Sequence, residues 1–131
     1  MNAATLLNAG YRIENARIIS ADLTMEDHGC LTLYMTLEGS GFGCVYGGYC
    51  LGHGYLGADN FDGSPQGIEY IMRLMDTVGV STLSGLAGKY VRIAISEQNT
   101  VKIIGNILDE RWFDPEKFWL PPEAFRKHPA T

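Results

Sequence analysis

Residues 31–38, which read Leu-Thr-Leu-Tyr-Met-Thr-Leu-Glu, decide the class of this fold. Leucine or methionine occupies every second position, and this two-residue period is typical of a strand with one buried face. A turn at Glu26-Asp27-His28-Gly29 precedes the stretch, and Gly39-Ser40-Gly41 follows it. Connections this short join antiparallel strands, because a parallel crossover needs a dozen residues or more. The stretch therefore predicts the middle strand of an antiparallel meander.

The segments around this strand extend the prediction to a five-stranded sheet. We expect strands over residues 12–25 and 42–51 on either side of the middle strand. Two more alternating stretches, residues 90–95 and 101–108, predict strands in the second half of the chain. The polar turn Glu97-Gln98-Asn99 separates them, which indicates a second antiparallel hairpin.

One main helix is predicted between the two groups of strands. Ser64 can cap its first turn, and Pro65 suits the first helical position, where an amide would have no partner. Apolar residues then recur with helical spacing as far as Gly79, a residue type that often ends helices in the left-handed conformation. Beyond Asp114 we expect a short helical tail.

Length and composition limit the domain organisation. A chain of 131 residues and 14.4 kDa is the size of one domain. We expect residues 1–10 to be a flexible N-terminal extension and residues 11–131 to form a single α+β domain. This domain would hold a mostly antiparallel five-stranded sheet, one main helix and the short C-terminal helical tail. With 46% hydrophobic and 19% charged residues, the composition is typical of a globular protein.

The charge and the cysteine count exclude several classes of function. A net charge of −5 disfavours binding to nucleic-acid polymers or anionic membranes, which attract basic surfaces. No apolar stretch approaches the roughly 20 residues of a membrane span, and the N-terminus lacks the features of a signal peptide. Three cysteines without closely spaced pairs indicate reduced thiols. We therefore expect a cytoplasmic protein.

Basic residues and glycines are distributed unevenly along the chain. No lysine or arginine lies between Arg17 and Arg73, so an anionic ligand would need Arg12, Arg17, the second half of the chain or another subunit. Nine of the 16 glycines lie between Gly39 and Gly63. They alternate with five aromatic residues, Phe42, Tyr46, Tyr49, Tyr55 and Phe61. This glycine-rich run could pack on its own rings or line a ligand site.

Cysteines and histidines of the first half are the sharpest candidates for catalysis or metal binding: His28, Cys30, Cys44, Cys50 and His53. Their spacing differs from that of a zinc knuckle, and Cys44 and Cys50 on one extended strand would lie roughly 20 Å apart. A Cys30–His pair has no evident third residue to orient the base. The formal G-x-G-x-x-G match over residues 52–57 is not followed by a helix. We therefore predict no catalytic residue, no metal site and no cofactor.

The second half of the chain offers a better candidate for a ligand site. Asn106 lies shortly before Arg111, and asparagine suits an adenine edge while arginine pairs with phosphate oxygens. Arg73 and Arg126 could add positive charge. Four large rings could stack on a base or, alternatively, dock the tail onto the sheet: Trp112, Phe113, Phe118 and Trp119.

Four strings of the sequence resemble a known family. They are Leu23-Thr-Met-Glu-Asp-His-Gly-Cys-Leu-Thr, Gly41-Phe-Gly-Cys-Val-Tyr-Gly-Gly-Tyr, Val78-Gly-Val with Leu86-Ala-Gly-Lys-Tyr-Val-Arg, and Ile104-Gly-Asn-Ile-Leu-Asp-Glu-Arg-Trp-Phe-Asp. In this order they resemble small proteins of phages and prophages, the first-described family of Thoeris anti-defence proteins, known as Tad sponges. The resemblance covers about residues 12–119.

The resemblance implies a binding protein that performs no chemistry. Such sponges sequester cyclic ADP-ribose isomers (glycocyclic ADP-ribose), which a bacterial TIR-domain enzyme makes as an infection signal, and some also capture cyclic oligonucleotides. They act in the host cytoplasm as homo-oligomers, with pockets between protomers that use an aromatic ring, an asparagine and arginines. Asn106 and Arg126 best suit the asparagine and the tail arginine. Phe113, Trp112 and Tyr49 are the candidates for the ring.

Three alternative functions stay open at this point. The protein could be a sponge for the cyclic di- or trinucleotides of CBASS-type defence. It could be a small phage enzyme that degrades such signals. It could also be a protein–protein inhibitor that acts through its aromatic tail.

Overall fold

The computed structural model describes residues 1–119, and eight strands in this part of the chain form one curled, antiparallel sheet. The strands are β1 (Arg12–Asp27), β2 (Cys30–Gly39), β3 (Phe42–Gly47), β4 (Gly52–His53), β5 (Asp62–Gly63), β6 (Tyr90–Ile95), β7 (Val101–Asn106) and β8 (Trp112–Phe113). The helices are α1 (Ala3–Asn8), α2 (Pro65–Val78) and α3 (Pro115–Trp119), and a 3-10 turn covers Ser84–Leu86.

The α+β class with an antiparallel sheet is confirmed, but the predicted number of five strands is wrong. The five predicted strands correspond to β1, β2, β3, β6 and β7. The three additional strands, β4, β5 and β8, have two residues each, which is too short to produce an alternating pattern.

A single long strand connects the two halves of the sheet. The order is β5-β4-β2-β1-β6-β7-β8, and β3 pairs with β2 on the same side as β4. Residues 12–17 of β1 pair with β6, while residues 16–27 pair with β2. Every strand pairing is antiparallel.

The main helix begins and ends where its capping residues predict. Ser64 Oγ accepts a hydrogen bond from the Gly67 amide at 3.0 Å, and Pro65 is the first helical residue. Gly79 adopts a φ of 91°, and its amide donates to the Met75 carbonyl at 2.8 Å. Three side chains of α2 are buried in the main core: Tyr70, Leu74 and Val78.

The predicted strand over residues 42–51 is interrupted after Gly47. Gly47 and Gly48 have φ values of 111° and 91°, a conformation that glycine adopts without strain. A Cβ on Gly47 would collide with the Leu33 carbonyl oxygen. The chain leaves the line of β3 here and pairs with the first residues of β2 as β4.

Residues 1–10, which we predicted to be a flexible N-terminal extension, contain the short helix α1. The Asn2 side chain accepts from the Thr5 amide at 2.9 Å and thereby caps α1. Leu6 is buried in a small cluster with Ala94 and Ile103. Tertiary contacts therefore stabilise a helix of six residues, which is too short to show a helical period in the sequence.

None of the helices in residues 1–119 is long and apolar enough to cross a lipid bilayer.

Candidate functional site

Asn106, which the resemblance favoured for ligand binding, is a buried link between β7 and α2. Its Nδ2 donates to the carbonyl oxygens of Thr77 and Val78 at 3.0 and 3.3 Å. Its Oδ1 accepts from the amides of Leu108 and Asp109, both at 2.9 Å. An asparagine side chain has two donor hydrogens and one oxygen with two lone pairs. All four positions are thus used within the chain, and this geometry does not support a ligand contact by Asn106.

Phe113 and Tyr49 belong to an aromatic cluster between α2, α3 and the sheet. The cluster consists of Tyr49, Tyr70, Phe113, Phe118 and Trp119, with neighbouring ring centroids 5.1–6.5 Å apart. Phe113 is 6% exposed and Trp119 is 3% exposed. Burial raises the pKa of Tyr49 to about 12, and the charges of Glu116 and Asp114 contribute to this increase. The rings cover one another and hold α3 against the sheet.

Trp112 lies on the opposite face of the sheet from these five rings. It packs against the small cluster of Leu6, Ala94 and Ile103. The Arg92 guanidinium stacks over its ring, 4.7 Å from the centroid. Trp112 Nε1 donates to Glu110 Oε1 at 2.9 Å. The neighbouring residues Trp112 and Phe113 of β8 therefore pack on opposite faces of the sheet.

Two of the predicted arginines are exposed and already paired with acidic residues. Arg111 Nη2 pairs with Asp109 Oδ2 at 3.2 Å, and its Nη1 also donates to the backbone carbonyl of Asp76 at 2.7 Å, close to the end of α2. Arg73 Nε lies 2.7 Å from Glu69 Oε2, and its guanidinium lies 5.7 Å from the centroid of the Phe118 ring. Both pairs are exposed ion pairs of the kind that contributes little to stability.

Arg126, the predicted tail arginine, lies outside the described residues. The structure places the other predicted site residues in different surroundings. Asn106, Phe113 and Tyr49 are involved in packing, whereas Arg73 and Arg111 lie on the surface around α2.

A cleft of about 350 Å³ opens beside the turn that joins β2 to β3. We call it the hairpin cleft. The apolar residues of its lining are Phe42, Cys44, Ile95 and Val101, and the polar ones are Arg12, Glu14, Ser40 and Asn99. Burial raises the pKa of the Cys44 thiol, which keeps this part of the lining uncharged at neutral pH. The hairpin cleft therefore combines apolar lining residues with a few polar groups, as small-molecule sites do.

The position of the Phe42 ring depends on glycine at residue 39. Gly39 and Phe42 are directly paired residues of β2 and β3. A Cβ on Gly39 would collide with the Phe42 ring, which occupies the space where a side chain would otherwise stand. Gly41, at a φ of 81°, provides the left-handed residue of the turn. The glycines thus hold a half-buried ring at the edge of the cleft.

Polar groups from β1 and from the turn between β6 and β7 meet in the lining of the cleft. Arg12 Nε donates to Glu14 Oε2 at 2.6 Å, and Arg12 Nη1 lies 3.4 Å from Asn99 Oδ1. Asn99 has a φ of 63° in the turn between β6 and β7, where asparagine is one of the tolerated residue types. The Arg12 side chain is 54% exposed, so its guanidinium is accessible from solvent.

No protein-family model, curated protein or solved structure matches this chain. The sequence nevertheless held part of the signal for the hairpin cleft. Phe42 lies in the glycine-rich run that we singled out, and Arg12 is one of the two arginines available to the first half. Asn99 was predicted only as a turn residue, because its proximity to Arg12 depends on the pairing of β1 with β6.

Proposed function

We propose that this protein binds a small, phosphate-containing nucleotide in the hairpin cleft and releases it unchanged. The convergence of Phe42, Asn99 and Arg12 in one cavity carries this proposal. An aromatic ring can stack on a base, an amide side chain can hydrogen-bond its edge, and a guanidinium can pair with phosphate oxygens. These are the three residue types that the resemblance implies, supplied here by other residues than those expected from the sequence.

The size of the cleft indicates that it holds only part of such a ligand. A volume of about 350 Å³ is near the lower end of the roughly 300–1,000 Å³ found for small-molecule sites. A base and one phosphate can fill this volume, while the rest of a dinucleotide-sized ligand would extend beyond it. A second subunit, or Arg126 of the tail, is the proposed source of the remaining contacts.

Glu14 limits which ligands can bind. Its carboxylate is paired with Arg12, so a phosphate must compete with Glu14 for the guanidinium. A ligand phosphate can accept both from Arg12 and from donors of the turn at residues 40–43, whereas a neutral nucleoside gains nothing from displacing Glu14. We therefore expect nucleotides to bind better than the corresponding nucleosides.

The biological role in this proposal rests on the resemblance. A protein that sequesters glycocyclic ADP-ribose in the cytoplasm of an infected bacterium blocks Thoeris immunity by lowering the free concentration of the signal. Such a sponge needs affinity and no catalytic group. A sponge for cyclic di- or trinucleotides would use the same contacts, and the two are distinguished by their ligand preference.

Calorimetric titration tests the cleft with cyclic ADP-ribose and with a cyclic dinucleotide as probes. Arg12→Gln removes a charge-assisted bond of about 1.5–3 kcal/mol, which corresponds to a roughly tenfold or greater loss of affinity. Phe42→Leu keeps an apolar side chain but removes stacking worth about 1–3 kcal/mol per base. Arg17→Gln is the matched control, because Arg17 is also an exposed arginine of β1 but is not part of the lining of the hairpin cleft. Wild-type affinity in folded Arg12→Gln and Phe42→Leu would exclude the hairpin cleft.

The fate of the bound ligand separates a sponge from an enzyme. The protein is incubated with the probe and heated to denature it, and the released molecule is analysed. Recovery of intact ligand agrees with the proposal. An altered ligand would favour the signal-degrading enzyme, and a lack of binding by any nucleotide would favour the protein–protein inhibitor.

A further inference from the structure

Cys30, Cys50 and His53 meet where β4 pairs with β2. One potential ligand atom from each residue lies within 4.8 Å of the other two. Cys50 Sγ is 3.5 Å from His53 Nε2. We expected no metal site because we placed Cys50 on the same straight strand as Cys44. The interruption at Gly47 invalidates that argument, since it carries Cys50 out of the line of β3 and towards the beginning of β2.

The backbone holds these three residues together. Cys30 and His53 are directly opposed across an antiparallel ladder, an arrangement that places both side chains on the same face. The Leu51 amide donates to the Leu31 carbonyl at 2.8 Å, and the Gly54 amide donates to the Gly29 carbonyl at 2.9 Å. Backbone hydrogen bonds therefore fix the segment on both sides of His53, independently of the side chains.

The distances fit the coordination geometry of zinc. Zinc binds thiolate sulfur at about 2.3 Å and imidazole nitrogen at about 2.0–2.1 Å, usually as a tetrahedron. These bond lengths place a sulfur and a nitrogen about 3.6 Å apart, and two sulfurs about 3.8 Å apart. The observed 3.5 Å between Cys50 and His53 agrees with the first value. The other two separations are at most 4.8 Å, so these ligand atoms would need to approach one another by no more than about 1.2 Å.

We propose that Cys30, Cys50 and His53 bind one Zn²⁺ ion through two sulfurs and one ring nitrogen. Both thiols release their protons to the solvent when the ion binds, and no oxidation takes place. Cys30 is buried and His53 is exposed, so the ion would lie at the solvent edge of the sheet with its fourth position open to water or another donor. The ion would tie β4, which has two residues, to the much longer β2.

Titration of the full, reduced chain with Co²⁺, followed by Zn²⁺, tests this proposal. We expect one equivalent of Co²⁺ to produce a thiolate-to-cobalt charge-transfer band and visible bands of tetrahedral intensity, and Zn²⁺ to abolish both. Cys50→Ser and His53→Asn should weaken binding at least tenfold. Cys44→Ser and His28→Asn are matched controls of the same residue types outside the cluster, and both should bind as the wild type does. His28→Asn retains a residue type that tolerates the positive φ of 51° at this turn.

Thermal unfolding provides a second measurement that does not depend on cobalt. A ligand that binds only the folded state raises the unfolding midpoint. Zinc should therefore raise the midpoint of the wild type and of Cys44→Ser but not that of His53→Asn. Because His53 is exposed, its variant tests the proposal even if Cys50→Ser does not fold.

Two results would overturn the zinc site. One is that the reduced wild-type protein gives no cobalt bands and no zinc-dependent midpoint shift. A disulfide formed between Cys30 and Cys50 in air would not change this conclusion. The other is an equal loss of metal binding in Cys44→Ser and Cys50→Ser.

Discussion

At the scale of single residues, Asn106 shows how burial and hydrogen bonding can determine the role of a polar side chain. In the sequence it is a polar residue next to arginine and aromatic residues, a pattern compatible with nucleotide recognition. In the fold it satisfies two carbonyl groups at the end of α2 and two amides of the turn after β7. A buried asparagine with four internal hydrogen bonds stabilises the fold, and its side chain has no hydrogen-bonding capacity left for a ligand.

We expect Asn106→Ala to lower the free energy of unfolding by about 2–3 kcal/mol, because it leaves buried backbone groups without partners. Urea denaturation at neutral pH measures this loss. Asn60→Ala, at an exposed asparagine, is the control and should change stability by less than about 0.5 kcal/mol. If folded Asn106→Ala has wild-type stability but weaker nucleotide affinity, the resemblance identified the site correctly and the hairpin cleft is not the site.

Glu110 is a second residue whose importance is not visible in the sequence. Its Oε1 accepts from the Ala3 amide at 2.8 Å and from Trp112 Nε1 at 2.9 Å, and its Oε2 accepts from Arg92 Nη2 at 3.1 Å. The hydrogen bonds from Trp112 and Ala3, followed by the contact with Arg92, lower the pKa of Glu110 below its usual value of 4.5. One exposed carboxylate thus connects α1, β6 and β8.

The lowered pKa of Glu110 gives a signed prediction for pH dependence. A carboxyl group with a lower pKa in the folded state adds stability above its unfolded pKa, and this stability is lost as pH falls through the folded pKa. We therefore expect Glu110→Gln to be less stable than the wild type at neutral pH, with the difference shrinking below pH 4.5. Urea midpoints across this range provide the measurement. Glu69→Gln, which removes a carboxylate from an exposed pair on α2, is the control for the loss of one surface charge.

At the scale of secondary-structure elements, local signals were sufficient for some segments. Ser64, Pro65 and Gly79 determine the bounds of α2 by capping, which depends only on neighbours in the chain. The alternation of apolar and polar residues over residues 90–95 predicts both ends of β6 correctly. These two elements could be predicted because all the information needed lies within their own residues.

Other elements depend on partners that are distant in the sequence. The interruption at Gly47 is required by the Leu33 carbonyl of a neighbouring strand. The helix α1 depends on Glu110, a residue more than 100 positions away. The same reason explains the outcome for the site: Phe42 and Arg12 were both noted, but their meeting with Asn99 requires the sheet to be assembled.

A close contact between α2 and the chain preceding β4 leads to a prediction at this scale. A Cβ on Gly67 would collide with the Leu51 carbonyl oxygen. Alanine favours helices by about 1 kcal/mol over glycine, yet we expect Gly67→Ala to lose about 1–3 kcal/mol of stability through overpacking. Gly63→Ala is the matched control, because a Cβ there meets no atom within 4 Å. Equal unfolding midpoints for the two variants would show that α2 can shift without cost.

At the scale of the whole molecule, the aromatic residues near the end of the chain give little reason for oligomerisation. Large rings recur at Phe113, Phe118, Trp119 and Phe125, and exposed rings often mark an interface. The first three pack with Tyr49 and Tyr70 in the same chain. Phe125 lies outside the described residues. The outward face of α2 is the better candidate, since Ile68 and Met72 are 57% and 63% exposed one turn apart.

We predict a homodimer through this face of α2. Glu69, Arg73 and Asp76 surround the two apolar side chains, so a two-fold axis can bring opposite charges together. Light scattering at micromolar concentration should give twice the chain mass of 14.4 kDa, and Met72→Glu should halve it. Gln98→Glu, which adds the same charge at an exposed turn on a different part of the surface, should leave the dimer intact. A wild-type mass of 14.4 kDa would contradict the prediction.

The shared strand β1 has a consequence for the order of events during refolding. Its pairing with β2 closes only a tight turn, whereas its pairing with β6 must bring Arg17 to Tyr90 across more than half of the chain. Closing a longer loop costs more chain entropy, and contacts between distant residues slow folding. The meander of β1, β2 and β3 can therefore form while the second half is still unfolded. Arg12 reaches Asn99 only after the β1–β6 ladder has closed, so we expect the hairpin cleft to be completed late in refolding.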